Sequence, residues 1–156
     1  MNDEIIEKAQ WRYSSGRQYE EAFYLLIADF DVINNTWKNQ IESPSYYCGG
    51  FAVEQFLKSY LIIKQVTFPT SHRGHDLMNL ISLDKKELVK FFDLDEADIL
   101  QISILNERYY NHEAYGKDDL RYASKSGLRK SPHPDNLNRI IKKMDNKLNI
   151  EIHKQY

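Results

Sequence analysis

The chain has 156 residues, 42% of them hydrophobic and 28% charged, with a formal charge of −2. A length near 150 favours one domain that buries most of its chain, so neither disulfides nor structural metals are required, and the one cysteine, Cys48, has no partner for an intramolecular bridge. The apolar content is too high for a disordered chain, and the near-neutral charge excludes a globally basic nucleic-acid coat while leaving room for a local basic patch.

The first residues, MNDEIIEKAQW, carry acidic side chains and no long apolar core, so they do not read as a signal peptide. No apolar stretch approaches the ~20 residues that span a bilayer. The sequence therefore reads as cytoplasmic, with no membrane partner.

Residues 1–15 read as a short helix or arm, docked through Trp11 and Tyr13. Ser15 and Gln18 have capping-box spacing, which predicts a helix starting near Gly16. Tyr19, Ala22, Phe23, Leu26, Phe30, Ile33 and Trp37 recur at steps of three and four, the stripe of one helix about six turns long. Tyr24, Leu25 and Ile27 lie off that stripe and are candidates for a dimer interface. Ser43-Pro44 signals a second start. The helix it opens carries Tyr46, Val53, Phe56, Leu57, Tyr60, Leu61 and Lys64, and Phe68-Pro69-Thr70 is expected to end it. Gly49 and Gly50 sit inside this helix at ~1 kcal/mol each relative to Ala, a pattern that usually admits a close neighbouring helix. Glu54 and Lys58 form an i,i+4 pair expected on its surface.

His72 to Asp76 reads as a loop, with His75 or Asp76 capping the turns after it. Asp84 with Glu87 resembles another capping box, followed by a short helix through Leu88, Val89, Phe91 and Phe92. Asp93 with Glu96, or Asp95 with Asp98, opens the next helix, which carries Ile99, Ile102, Leu105 and Tyr109. Residues 111–133 form a long irregular segment of the kind that is usually functional or mobile. Pro134-Asp135 starts a final helix over 134–149 with the stripe Leu137, Ile140, Ile141, Met144 and Leu148. The expected fold is a single all-α domain, an antiparallel up-down bundle of four to five main helices.

The common phosphate-loop, dinucleotide, zinc-protease, hydrolase and dithiol motifs are missing. His72 and His75 flank Arg73 without a cysteine or carboxylate cluster, so neither a metal nor a cofactor is expected. Arg108 and His112 lie four apart and share a face if their helix continues. A guanidinium beside an imidazole suits RNA cleavage, with His112 moving a proton and Arg108 stabilising charge on the phosphate. The simpler reading pairs Arg108 with Glu107, Glu113 or Asp118 and leaves His112 at the helix end. Downstream, Lys117, Arg121, Lys125, Arg129 and Lys130 face Glu113, Asp118 and Asp119 in number, with Tyr115 and Tyr122 interleaved. Cations beside rings can hold phosphates and stack bases; the alternative is a solvated loop with its tyrosines turned inward.

The segment Gly50-Phe51-Ala52-Val53-Glu54-Gln55-Phe56-Leu57-Lys58-Ser59-Tyr60-Leu61 resembles the central helix of HEPN (higher eukaryotes and prokaryotes nucleotide-binding) domains, which often carry an A-V-E-x-x-L-K-x-x-L run. Pro69 followed by His75-Asp76-Leu77 and Leu80 is similar to the family's H-D-L turn, and Arg108-Tyr109 to its terminal R-Y pair. The resemblance covers about residues 16–115. It implies a four- or five-helix bundle, commonly a homodimer. It also implies RNA or nucleotide binding, a toxin–antitoxin or defence setting, and a separate nucleotidyltransferase or antitoxin protein as partner. Some members are metal-independent ribonucleases with an R-x(4–6)-H motif shared across a dimer. In this chain three residues separate Arg108 from His112, and three separate Arg129 from His133. The leading expectation is therefore a binding module without strong catalysis, the alternatives being a ribonuclease built on Arg108 and His112, or a pure protein-interaction bundle.

Overall fold

The computed structural model describes residues 3–110 and 131–154. Its elements are α1 (Asp3–Ile27), a two-stranded hairpin of β1 (Phe30–Asp31) and β2 (Thr36–Trp37), α2 (Glu42–Ile63), a 3-10 turn (His72–His75), α3 (Leu77–Ser82), α4 (Lys85–Phe92), α5 (Glu96–Tyr109) and α6 (Pro134–His153). The architecture is the expected all-α bundle, and among the described residues no helix is long and apolar enough to cross a membrane.

α2 is the axis of the bundle and packs against α1, α3, α5 and α6. Every residue from Ala52 to Leu61 is buried. Four polar side chains, Glu54, Gln55, Lys58 and Ser59, are buried there among the apolar ones, as befits a helix surrounded by others rather than lying on a surface. α1 runs antiparallel to it: Ser59 Oγ donates to the Ala9 carbonyl at 2.9 Å, Tyr19 stacks on Phe51, and Phe23 sits against Gly49. α6 closes the bundle with its predicted stripe, Leu137, Ile140, Ile141, Met144 and Leu148, fully buried.

The first predicted helix is corrected at both ends. α1 begins at Asp3 and passes straight through Ser15 and Gly16. Ala9, Tyr13 and Gly16 are buried on one face, so residues 3–15 continue the same packing surface instead of forming an arm. Gly16 makes room for the Phe56 ring of α2; an added Cβ would lie 2.5 Å from it. The far end stops at Ile27. Phe30 and Trp37, taken as helical positions by their spacing, pair across the antiparallel hairpin instead. Asp31 fixes the turn by accepting from the Ile33 and Asn34 amides at 3.0 and 3.1 Å, and Asn35 takes a left-handed φ of 51°. Such side-chain bonds compete with the helix. They leave Ile33 95% exposed at the tip.

Other boundaries move for local reasons. α2 ends before Phe68-Pro69-Thr70 because Gln65 adopts a φ of 54°, and the Gln65 and Val66 amides bond back to Ile62 and Leu61 at 3.0 and 2.8 Å. This is a Schellman closure built without glycine. Asp76, and not His75, caps α3, accepting from the Met78 and Asn79 amides. Asp95 and Asp98 form the capping box of α5. Asp84 precedes α4 without capping it and accepts instead from the Tyr60 hydroxyl at 2.7 Å.

Candidate functional site

Glu42, Tyr46, Gly50, Glu54 and Lys58 recur every four residues along α2 and therefore form one ridge. The C-terminal end of α5 lies on that ridge. Gly50 makes the approach possible: a Cβ there would lie 2.4 Å from the Tyr109 ring. The close neighbour expected of the glycine pair is thus the end of α5 at Gly50, with Phe23 and Leu137 at Gly49.

Glu54 is the hub. It is 1% exposed, and its carboxylate takes four hydrogen bonds. Lys58 Nζ donates to Oε1 at 2.6 Å and Gln55 Nε2 to the same oxygen at 3.3 Å. The Tyr109 hydroxyl donates to Oε2, and His75 Nδ1 lies 3.0 Å from it. The Glu54–Lys58 pair is present as expected but is buried, with the Lys58 side chain only 7% exposed. A buried carboxylate needs donors and a countercharge in place of its hydration, and these four partners supply them. With Nδ1 directed at a carboxylate, His75 carries its proton there and turns Nε2 away from Glu54. Its side chain is 39% exposed. Asp76, next in sequence, also accepts from Asn106 Nδ2 at 2.9 Å, and Asn106 Oδ1 accepts from the Leu77 amide at 2.9 Å. The turn before α3 is thereby tied to both α2 and α5.

Arg108 points along the same ridge toward its other end. Its guanidinium lies 3.3 Å from Glu42 Oε1, donates to Ser131 Oγ, and sits 5.9 Å from the Tyr46 ring centroid. Ser131 Oγ in turn donates to Glu42 at 3.0 Å. Tyr46 is buried and donates to the Pro132 carbonyl at 2.7 Å. Burial, then the Glu42 charge, pushes its pKa up to about 12. Among the described residues Arg108 pairs with Glu42, 66 positions away, rather than with the adjacent Glu107; Glu113 and Asp118 lie outside the described residues. α5 ends at Tyr109, and its cap Tyr110 takes φ and ψ of −123° and 99°.

His112, Lys117, Arg121, Tyr122, Lys125, Arg129 and Lys130 lie outside the described residues. His133 is described. Its amide donates to Gln101 Oε1 at 3.2 Å and its ring edge meets Phe30, which places it at the start of α6.

An aromatic shelf borders the ridge. Tyr47 packs on Phe51 and Tyr109, and Phe51 stacks on Tyr19 with ring centroids 4.8 Å apart. Tyr47 is half exposed. Comparison with protein-family models, with curated proteins and with solved structures finds no match.

The part of this site that the sequence reading missed is the Glu54–His75 contact. The signal was the number of apolar residues close to Glu54, with Ala52, Val53, Phe56 and Leu57 all within three positions of it, so a charge there needed partners from other elements.

Proposed function

We propose that the chain is a HEPN-like helical module that works as a homodimer and binds RNA or a nucleotide. One observation carries this reading. The three separate segments on which the resemblance rests supply Glu54 and Lys58, His75, and Tyr109 to one hydrogen-bonded assembly, with Asp76 tied to α5 through Asn106 and Arg108 at the other end of the same ridge on Glu42. Arg108 leads from that assembly toward Ser131, at the edge of the stretch in which Lys117, Arg121, Lys125, Arg129 and Lys130 provide phosphate-binding charge and Tyr122 a ring. Arg108 is held by Glu42, so a phosphate must compete with a carboxylate for it.

The test is anisotropy of a labelled single-stranded RNA, and of labelled ATP, over a salt series without metal. The expected result is binding whose log K falls linearly with log salt, with a slope of about −0.7 per phosphate contacted. It weakens when Arg129 and Lys130 are both changed to Glu. No binding of either ligand at low salt sinks the proposal in favour of a protein-interaction bundle. Metal-free cleavage abolished by both Arg108→Ala and His112→Ala replaces it with the ribonuclease reading.

A further inference from the structure

The outward face of α1 alternates in steps of three and four. Glu7, Trp11, Ser14, Gln18, Glu21 and Leu25 are all exposed, and this spacing is that of a seam along which one helix lies against another. Two of these residues are large and apolar: Trp11 is 63% exposed and Leu25 68%. Tyr24, beside the seam, is 55% exposed. Of the three residues that the sequence sets off the helix stripe, Tyr24 and Leu25 thus face outward, whereas Ile27 packs against the core. Toward α6 the same face opens into a groove of about 540 Å³, lined by Ser14, Arg17, Glu20, Glu21, Tyr24 and Lys142 among others.

Charge and spacing indicate what lies along this face. The charged residues of the groove are two cations, Arg17 and Lys142, and two carboxylates, Glu20 and Glu21. A partner of one dominant sign is repelled by half of them, and a surface carrying the same mixture in reverse order matches them all. A second copy of α1 laid antiparallel is such a surface. Trp11 and Leu25 have their midpoint at position 18; Arg17 and Glu21 have theirs at position 19. One two-fold axis near Gln18 therefore sets Trp11 of each copy against Leu25 of the other and Arg17 of each beside Glu21 of the other. A parallel pair would set each of these charges against its own kind. Arg17 can serve a second carboxylate: its side chain is 60% exposed, it meets Asp145 through Nε at 3.6 Å, and a guanidinium has five donors.

We propose that the outward face of α1 is a homodimer interface, along which α1 of a second copy lies antiparallel about a two-fold axis near Gln18. This inference rests on the homodimer reading above and gives it a surface.

The test is sedimentation equilibrium of the full chain over about 1–200 μM. Expected is a monomer–dimer equilibrium that Leu25→Asp, Arg17→Glu and Glu21→Arg each weaken by roughly tenfold or more. A one-to-one mixture of the Arg17→Glu and Glu21→Arg chains regains the dimer, because both ion pairs re-form across the axis of the mixed pair. That recovery separates a contact between copies from a damaged fold, since mixing cannot repair the Arg17–Asp145 contact within a chain. Circular dichroism verifies that the variants are folded. A dimer that survives all three changes lies on another face; it overturns the inference and leaves the homodimer reading standing. Single variants that weaken the dimer without recovery in the mixture overturn the antiparallel register. A monomer throughout the series overturns both the inference and the homodimer reading.

Discussion

Gly50→Ala tests the geometry at the heart of the candidate site because two effects of opposite sign compete there. On helix propensity alone, alanine in place of a mid-helix glycine stabilises by about 0.8–1.0 kcal/mol. The new Cβ, however, would lie 2.4 Å from Cγ and Cδ2 of Tyr109 and 2.9 Å from its Cβ. Carbon atoms in contact prefer about 3.5–4.0 Å, so the end of α5 would have to retreat by roughly 1 Å. Phe51 and Tyr47 pack against the same ring and oppose that movement. Overpacking of this kind costs about 1–3 kcal/mol. Displacing Tyr109 also strains its hydrogen bond to buried Glu54, and bonds to charged groups contribute about 1.5–3 kcal/mol. The net expectation is a loss of about 2 kcal/mol, or roughly 4–8 °C in Tm for a chain of this size. Gly49→Ala is the internal control. Its Cβ would meet only the ends of Leu137 and Phe23 at 3.1–3.3 Å, and the change should be within about 1 kcal/mol of neutral. Urea unfolding of both variants measures the difference. If Gly50→Ala is as stable as the wild type or more so, Tyr109 does not rest on Gly50 and the close approach is wrong.

Two predictions concern pH. Asp98 is fully buried, and burial works against its charge, but hydrogen bonds from Arg139 at 2.6 Å and Lys143 at 3.0 Å outweigh that effect and hold its pKa below the ordinary range. A lowered pKa gives stability that is present above the unfolded value and lost as pH falls through the folded one. Asp98→Asn should therefore cost about 2 kcal/mol at pH 7, less than a fully buried pair because both cations are partly exposed, and the gap from wild type should close below about pH 4 in an acid-unfolding series. A constant gap would contradict the assignment. Glu20 is the opposite case: its raised pKa gives stability that is full below its unfolded value and lost as pH rises toward about 7. After discounting for solvent screening, Glu20→Gln should gain about 1 kcal/mol at pH 8 and nothing at pH 4. A gain of equal size at both pH values would point to something other than ionisation.

The long-range architecture was legible wherever a single apolar stripe faced a single neighbour. α6 shows this best, because Leu137 to Leu148 pack on one side only. The α1 boundary was not legible. Ser15 and Gln18 have the spacing of a cap, but a continuous helix face through Ala9, Tyr13 and Gly16 buries more than a cap contributes. The hairpin was hidden because Phe30, Ile33 and Trp37 extend a helical period, and only the Asp31–Asn34–Asn35 turn chemistry distinguishes the two folds. In the candidate site, Glu54 and Lys58 were visible as a pair and Asp76 as a cap. Long-range partners such as His75 for Glu54 and Glu42 for Arg108 leave no local spacing in the sequence, because only the packed helices bring them together.

The most direct test of the Glu54 assembly is a double-mutant cycle of Glu54→Gln and Tyr109→Phe in urea. Because the Tyr109 hydroxyl donates to Glu54 in the interior, the account predicts that the two losses fail to add, with a coupling of about 1–3 kcal/mol. Additive losses would mean that the two residues do not share a bond, and the convergence of the three segments would fall with it.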